Sequence, residues 1–100
     1  MQVKELRDGM KRVDIEGMIT AVGKTREVTL KTGGQARVAD FVFDDGSTEK
    51  GIKLTLWDDQ IDGIEEGDKL RITNGYVRSF MGELYLTVGK YGKLEKINSA

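Results

Sequence analysis

Apolar residues recur at every second position in stretch after stretch of this chain: Val13, Ile15 and Ile19 in one, Ile52, Leu54 and Leu56 in another, Leu84, Leu86 and Val88 in a third. Side chains of a strand alternate between its two faces, so this period makes each stretch a strand with one buried and one wet side. None of the 100 residues is a proline that would interrupt such strands. Helix has little room. Val3, Leu6 and Met10 mark a short helical turn over Val3–Met10, too brief to be stable unless packed across one end of the strands.

The first strand spans Arg12–Lys24, with Val13, Ile15, Gly17, Ile19 and Ala21 on one face. Gly17 at its centre lets it bend sharply. A loop bearing Lys24, Arg26, Lys31 and Gly33-Gly34 leads to a second strand over Gln35–Asp44, in which Phe41 and Phe43 read as core or sheet residues. Asp44-Asp45-Gly46-Ser47 is a turn, and Gly51–Trp57 is the third strand. Trp57, Ile61 and Ile64 at helical spacing, behind Asp58 as N-cap candidate, predict a short helix or turn over Asp58–Ile64. The fourth strand runs Lys69–Phe80, a loop at Met81-Gly82 reverses the chain, and the fifth runs Glu83–Val88. Lys93–Ile97 adds a last short strand or turn.

Asn74-Gly75 is a strong hairpin signal. Splitting the fourth strand there would leave Leu70, Ile72 and Val77 with little to pack on, so a glycine bulge in one long strand is expected instead. Five strands, the first long and bent, with a helix or turn between the third and fourth, specify an all-β chain folded as a five-stranded OB-fold barrel. The domain reads as residues 1–100, whole or as one unit of a longer protein.

Composition narrows the chemistry. The chain has no cysteine and no histidine, which removes disulfides, the usual zinc sites, Cys or His nucleophiles and imidazole acid–base catalysis. Asp58, Asp59 and Asp62 suggest a divalent-metal cluster, but no general base or nucleophile accompanies them, and hydrated loop carboxylates are the commoner case. No enzyme, cofactor, metal or small-molecule substrate is therefore expected. Met1–Met10 carries Lys4, Glu5, Arg7 and Asp8 where a signal peptide needs an apolar run, and no later segment could cross a bilayer, so a cytoplasmic location is expected.

The net charge of −1 conceals an uneven grouping. Asp58, Asp59, Asp62, Glu65, Glu66 and Asp68 lie together with no Lys or Arg among them, and the remainder of the chain is accordingly positive. Against that background Lys53, Thr55 and Trp57 share the wet face of the third strand, and Tyr76, Arg78 and Phe80, spaced by two, share one face of the fourth. Every base offers a π-face, and stacking is worth about 1–3 kcal/mol per base, so such a row could hold a single strand without reading its sequence. Trp57 has an alternative reading as a rim residue capping the barrel against Ile61.

Ile52–Asp59 (IKLTLWDD), Glu65–Ile72 (EEGDKLRI), Asn74–Gly82 (NGYVRSFMG) and Leu86–Gly89 (LTVG) together resemble the archaeal replication protein A and simple single-stranded DNA-binding protein family, over about Val3 to Ile97. The resemblance implies base stacking by Trp57, Tyr76 and Phe80. The chain departs from the family in the fifth strand, where relatives can carry an aromatic at the position of Thr87 and this chain has Tyr85 and Tyr91 nearby. It also lacks the cysteines of the zinc module and the acidic tail that some members carry.

The expected function is low-specificity binding of single-stranded DNA in replication, recombination or repair. Trp57, Tyr76, Phe80 and Tyr85 would supply stacking, and Arg78, Lys53, Arg71, Arg37 and Lys90 phosphate contacts. Expected partners are single-stranded DNA, other replication or repair proteins, and further OB domains, with no membrane. Single-stranded RNA and a role as a protein–protein assembly domain are the alternatives.

Overall fold

Gly17 decides how closely the first strand can cross the sheet. A Cβ there would lie 2.7 Å from the Phe43 ring and 2.9 Å from the Asp44 carbonyl oxygen, so a glycine is what lets β1 (Val13–Val22) pass this near. The computed structural model describes residues 1–97, apart from the side chain of Lys90. In it β1 pairs with two partners in turn: Val13 to Met18 with β5 (Lys69–Phe80), and Met18 to Val22 with β3 (Gln35–Asp44). β3 pairs with β4 (Ile52–Trp57), β4 runs parallel to β6 (Glu83–Lys96), and β6 returns antiparallel to β5. The order β1-β5-β6-β4-β3 closes on itself through the β1–β3 pairing, which is the expected five-stranded OB barrel.

Three local expectations are corrected. The loop after the first strand contains a short strand, β2 (Arg26–Thr29), which pairs with β3 and hangs outside the ring. Val28 is its one half-buried side chain, so it carries no alternation to read. The fifth strand does not stop at Val88. β6 continues to Lys96, absorbing the separate Lys93–Ile97 piece; Val88 is opposite Gly75 and Lys93 opposite Thr73, so residues 89–92 bulge out against the single residue Asn74. Finally, the expected helix or turn at Asp58–Ile64 is present, as a one-turn 3-10 segment, Asp58–Gln60, running into a turn, but Asp58 does not cap it: its carboxylate accepts the Arg37 backbone N–H at 2.9 Å.

The bulge at Asn74-Gly75 is present as expected. β5 is continuous, Asn74 sits at φ 57°, and the register shifts there by one residue against β1 and by three against β6. The Asp14 carboxylate accepts the Asn74 N–H at 2.9 Å and so fixes the kink from β1.

The barrel interior is filled by Val13, Ile15, Ile19, Phe41, Phe43, Leu54, Leu56, Leu70, Ile72, Val77 and Leu86, all essentially inaccessible. Each such side chain stabilises the fold by about 1.5–3 kcal/mol relative to exposure. The N-terminal turn, Val3–Glu5, covers one end with Val3 and Leu6. It is moored to the loop after β3, where Asp45 accepts the Val3 N–H at 2.9 Å and Ser47 Oγ accepts that of Lys4 at 3.1 Å. Burial works to raise the Asp45 pKa, but the hydrogen bonds from Ser47 and Val3 outweigh it and hold the carboxyl below its ordinary value. No helix of the described residues is long and apolar enough to cross a membrane.

Candidate nucleic-acid interface

β4, β6 and β5 lie side by side, and register fixes which outward-facing residues are neighbours. Lys53 is opposite Tyr85 and Tyr85 opposite Arg78; one step along, Thr55 is opposite Thr87 and Thr87 opposite Tyr76. Trp57 follows Thr55 by two residues, as the alternation of Ile52, Leu54 and Leu56 inward requires. Two strand spacings and one two-residue step separate Trp57 from Tyr76, about 12 Å of sheet surface.

Between them on β6 the outward position is Gly89. A Cβ there would sit 2.9 Å from Tyr76 Cε1, so the tyrosine ring lies over the glycine and reaches across β6 towards β4. Trp57 keeps 38% of its surface exposed, while Val38, its register partner on β3, is buried. The backbone at Trp57 is held by a residue that sequence reasoning missed. Gln60 Oε1 accepts the Trp57 backbone N–H at 3.1 Å, and Gln60 Nε2 donates to the Val88 carbonyl at 3.3 Å, clamping the end of β4 to β6. Phe80, at the far end of β5, is 64% exposed, whereas Tyr76 and Tyr85 are half-buried. Thr87 shares the outward face yet is buried, its hydroxyl donating to the Thr55 carbonyl at 3.2 Å.

The cations of this face differ in how much charge they can offer. The Lys53 ammonium lies 2.9 Å from Glu83 and 5.4 Å from the Tyr85 ring centroid, and its pKa is raised chiefly by the hydrogen bond to Glu83. The Arg78 guanidinium lies 5.2 Å from the Tyr76 centroid and, among the described residues, makes no ion pair. A guanidinium resting on a ring and unpaired with a carboxylate suits a phosphate beside a stacked base.

Two further candidates are not brought to this face. Arg37 has the same parity on β3 as Phe41 and Phe43, and its guanidinium forms a two-pronged ion pair with Asp62, at 3.1 and 3.3 Å. Each raises or lowers the other's pKa in the direction of charge, the hydrogen bond being the main cause. Arg71 lies beyond the Asn74 bulge, between Glu16 and Glu95 in register, and bonds Glu16 at 3.1 Å. Lys90 lies in the β6 bulge, and its side chain falls outside the described residues. Of the loop cations, Arg26 is 3.6 Å from Asp40.

The acidic segment has structural partners. Asp58 and Asp62 serve Arg37, and Asp68 accepts the Glu65 N–H and pairs with Lys96 at 3.1 Å. No group of three or more metal-ligating side chains is assembled among the described residues.

The closed ring, its strand order and the bent first strand define an OB-fold domain. The chain belongs to the Ssb-like family of OB-fold single-stranded DNA binding proteins, whose model matches residues 9–96. It is 26% identical over 93 residues to the single-stranded DNA binding protein Ssb of Saccharolobus solfataricus, covering 93% of this chain and 61% of that protein. The second OB-fold domain of replication protein A from Methanococcus maripaludis superposes with a TM-score of 0.80 at 21% identity, covering 100% of this chain and 96% of that one. An OB domain from Thermoplasma acidophilum gives 0.81 at 22% identity, covering 100% and 88%. The archaeal relationship read from the four sequence segments is thus shown.

Proposed function

We propose that this chain binds single-stranded DNA with weak sequence preference and serves in replication, recombination or repair. The observation that carries the reading is one sheet face on which Trp57, Tyr76 and Phe80 are outward and Arg78 lies against the Tyr76 ring without a carboxylate partner among the described residues. Bases stack on the three rings, with Tyr85 beneath, and Arg78 and Lys53 meet phosphates, Lys53 after exchanging Glu83 for the ligand. The face accommodates about three to five nucleotides, the small end of the range for one OB fold. The relative from S. solfataricus is longer than this chain, and we read the domain as a unit that works beside further OB domains or other replication and repair proteins.

Titration with oligo-dT at low salt should quench Trp57 fluorescence, while duplex DNA leaves it unchanged. Trp57→Ala should weaken binding by about 1–3 kcal/mol with little shift in the urea midpoint. A wild-type chain that binds no oligonucleotide would replace this reading with an assembly domain, and tighter binding of matched RNA in a parallel titration would replace DNA by RNA.

A further inference from the structure

The bulge of β6 opens a shallow depression of about 460 Å3 beside Tyr76, where Asn74 and Gly75 face Gly89 and Gly92. Lys11, Arg12 and Arg78 line it together with Tyr76 and Tyr91, and among the described residues no carboxylate does. Among the described residues none of these three cations forms an ion pair, and Asp14, close by on β1, is turned to the Asn74 N–H. Lys11 and Arg12 come from the segment before β1, which is held against β5 by the hydrogen bonds Gly9 N–H to Val77 O and Val77 N–H to Met10 O, both 2.9 Å.

The depression is built into the backbone. Gly92 packs where a Cβ would lie 2.8 Å from Val88 Cγ1, and Asn74 Nδ2 donates to the Tyr91 carbonyl at 3.3 Å, so the bulge is tied down on β5. Gly89 leaves the Tyr76 ring as one wall, and Tyr91, 84% exposed, stands as the other. Among the described residues the only large apolar surfaces lining the site are the flat rings of Tyr76 and Tyr91, with no aliphatic side chain beside them. Two tyrosine rings among three unneutralised cations suit a base and its flanking phosphates.

We propose that this depression is a second nucleotide subsite, in which the strand leaving Tyr76 places a base on Tyr91 and its phosphates against Lys11 and Arg12. The proposal rests on the DNA-binding reading above and extends its track by one or two nucleotides. The test is a length series of oligo-dT, from about four to about eight nucleotides, titrated against wild type, Tyr91→Ala and the double variant Lys11→Ala/Arg12→Asn. Asparagine is chosen because Arg12 sits at φ 55°, where it is tolerated. On the longest oligonucleotides Tyr91→Ala should bind about fivefold or more weakly, and the double variant should lose about 1.4 from the log–log salt slope, two phosphate contacts at about 0.7 each. On the shortest, both should match wild type. Variants that match wild type at every length overturn the subsite while leaving the main face intact; a wild type that binds no length overturns both readings.

Discussion

The two halves of β5 carry the same kind of residues and differ in what they offer a ligand. Before the bulge, Arg71 lies between Glu16 on β1 and Glu95 on β6 and bonds the former. After it, Arg78 lies between two aromatic neighbours with no carboxylate partner among the described residues. Both arginines are exposed and both face outward. Neighbours set by register, rather than exposure or charge, separate an arginine held in the wall from one available to a phosphate.

The comparison depends on Asn74, and deleting that residue is the harshest way to break it. The slip would turn Tyr76, Arg78 and Phe80 inward and Val77 outward. We expect loss of cooperative thermal unfolding, since such a change rivals a total stability of about 5–15 kcal/mol. A deletion variant that melts and binds like wild type would show that the bulge positions nothing.

A milder probe exchanges the two arginines. Arg78→Ala should weaken oligo-dT binding and reduce its log–log salt slope by about 0.7, with thermal stability unchanged. Arg71→Ala should do the reverse: unchanged slope, and a stability loss of no more than about 1 kcal/mol from an exposed pair. Equal slopes for the two variants would erase the distinction. The smallest effect sharpens it. Glu16→Gln frees Arg71 without moving it, and affinity should stay within error of wild type, because the strand passes the other half of β5.

The ring of five strands was legible because its strands are half-buried. Ile52, Leu54 and Leu56, or Leu70, Ile72 and Val77, leave a period that water and core impose together. β2 has nothing to bury but part of Val28, so its pairing with β3 comes from register alone and leaves no trace in composition. The continuation of β6 was hidden for a related reason, since Gly89 and Gly92 break the alternation where the backbone packs closest. At the site, parity already placed Trp57, Tyr76, Arg78 and Phe80, and parity with Phe41 and Phe43 could have removed Arg37. Gln60, Lys11 and Arg12 had no such signal. Lys11 and Arg12 reach the aromatic face, and Gln60 reaches Val88, through contacts between distant segments, which no local pattern encodes.

The position of β6 has one more consequence. β6 is inserted between β5 and β4, and on the outward face it alone lies between the strand bearing Trp57 and the strand bearing Tyr76, Arg78 and Phe80. During synthesis the two half-faces are therefore linked only the long way round, through β3 and β1, until β6 has left the ribosome. The face proposed to hold a nucleic acid is complete only once β6 is in place, so a chain lacking β6 would carry its aromatic rings on two separated strands.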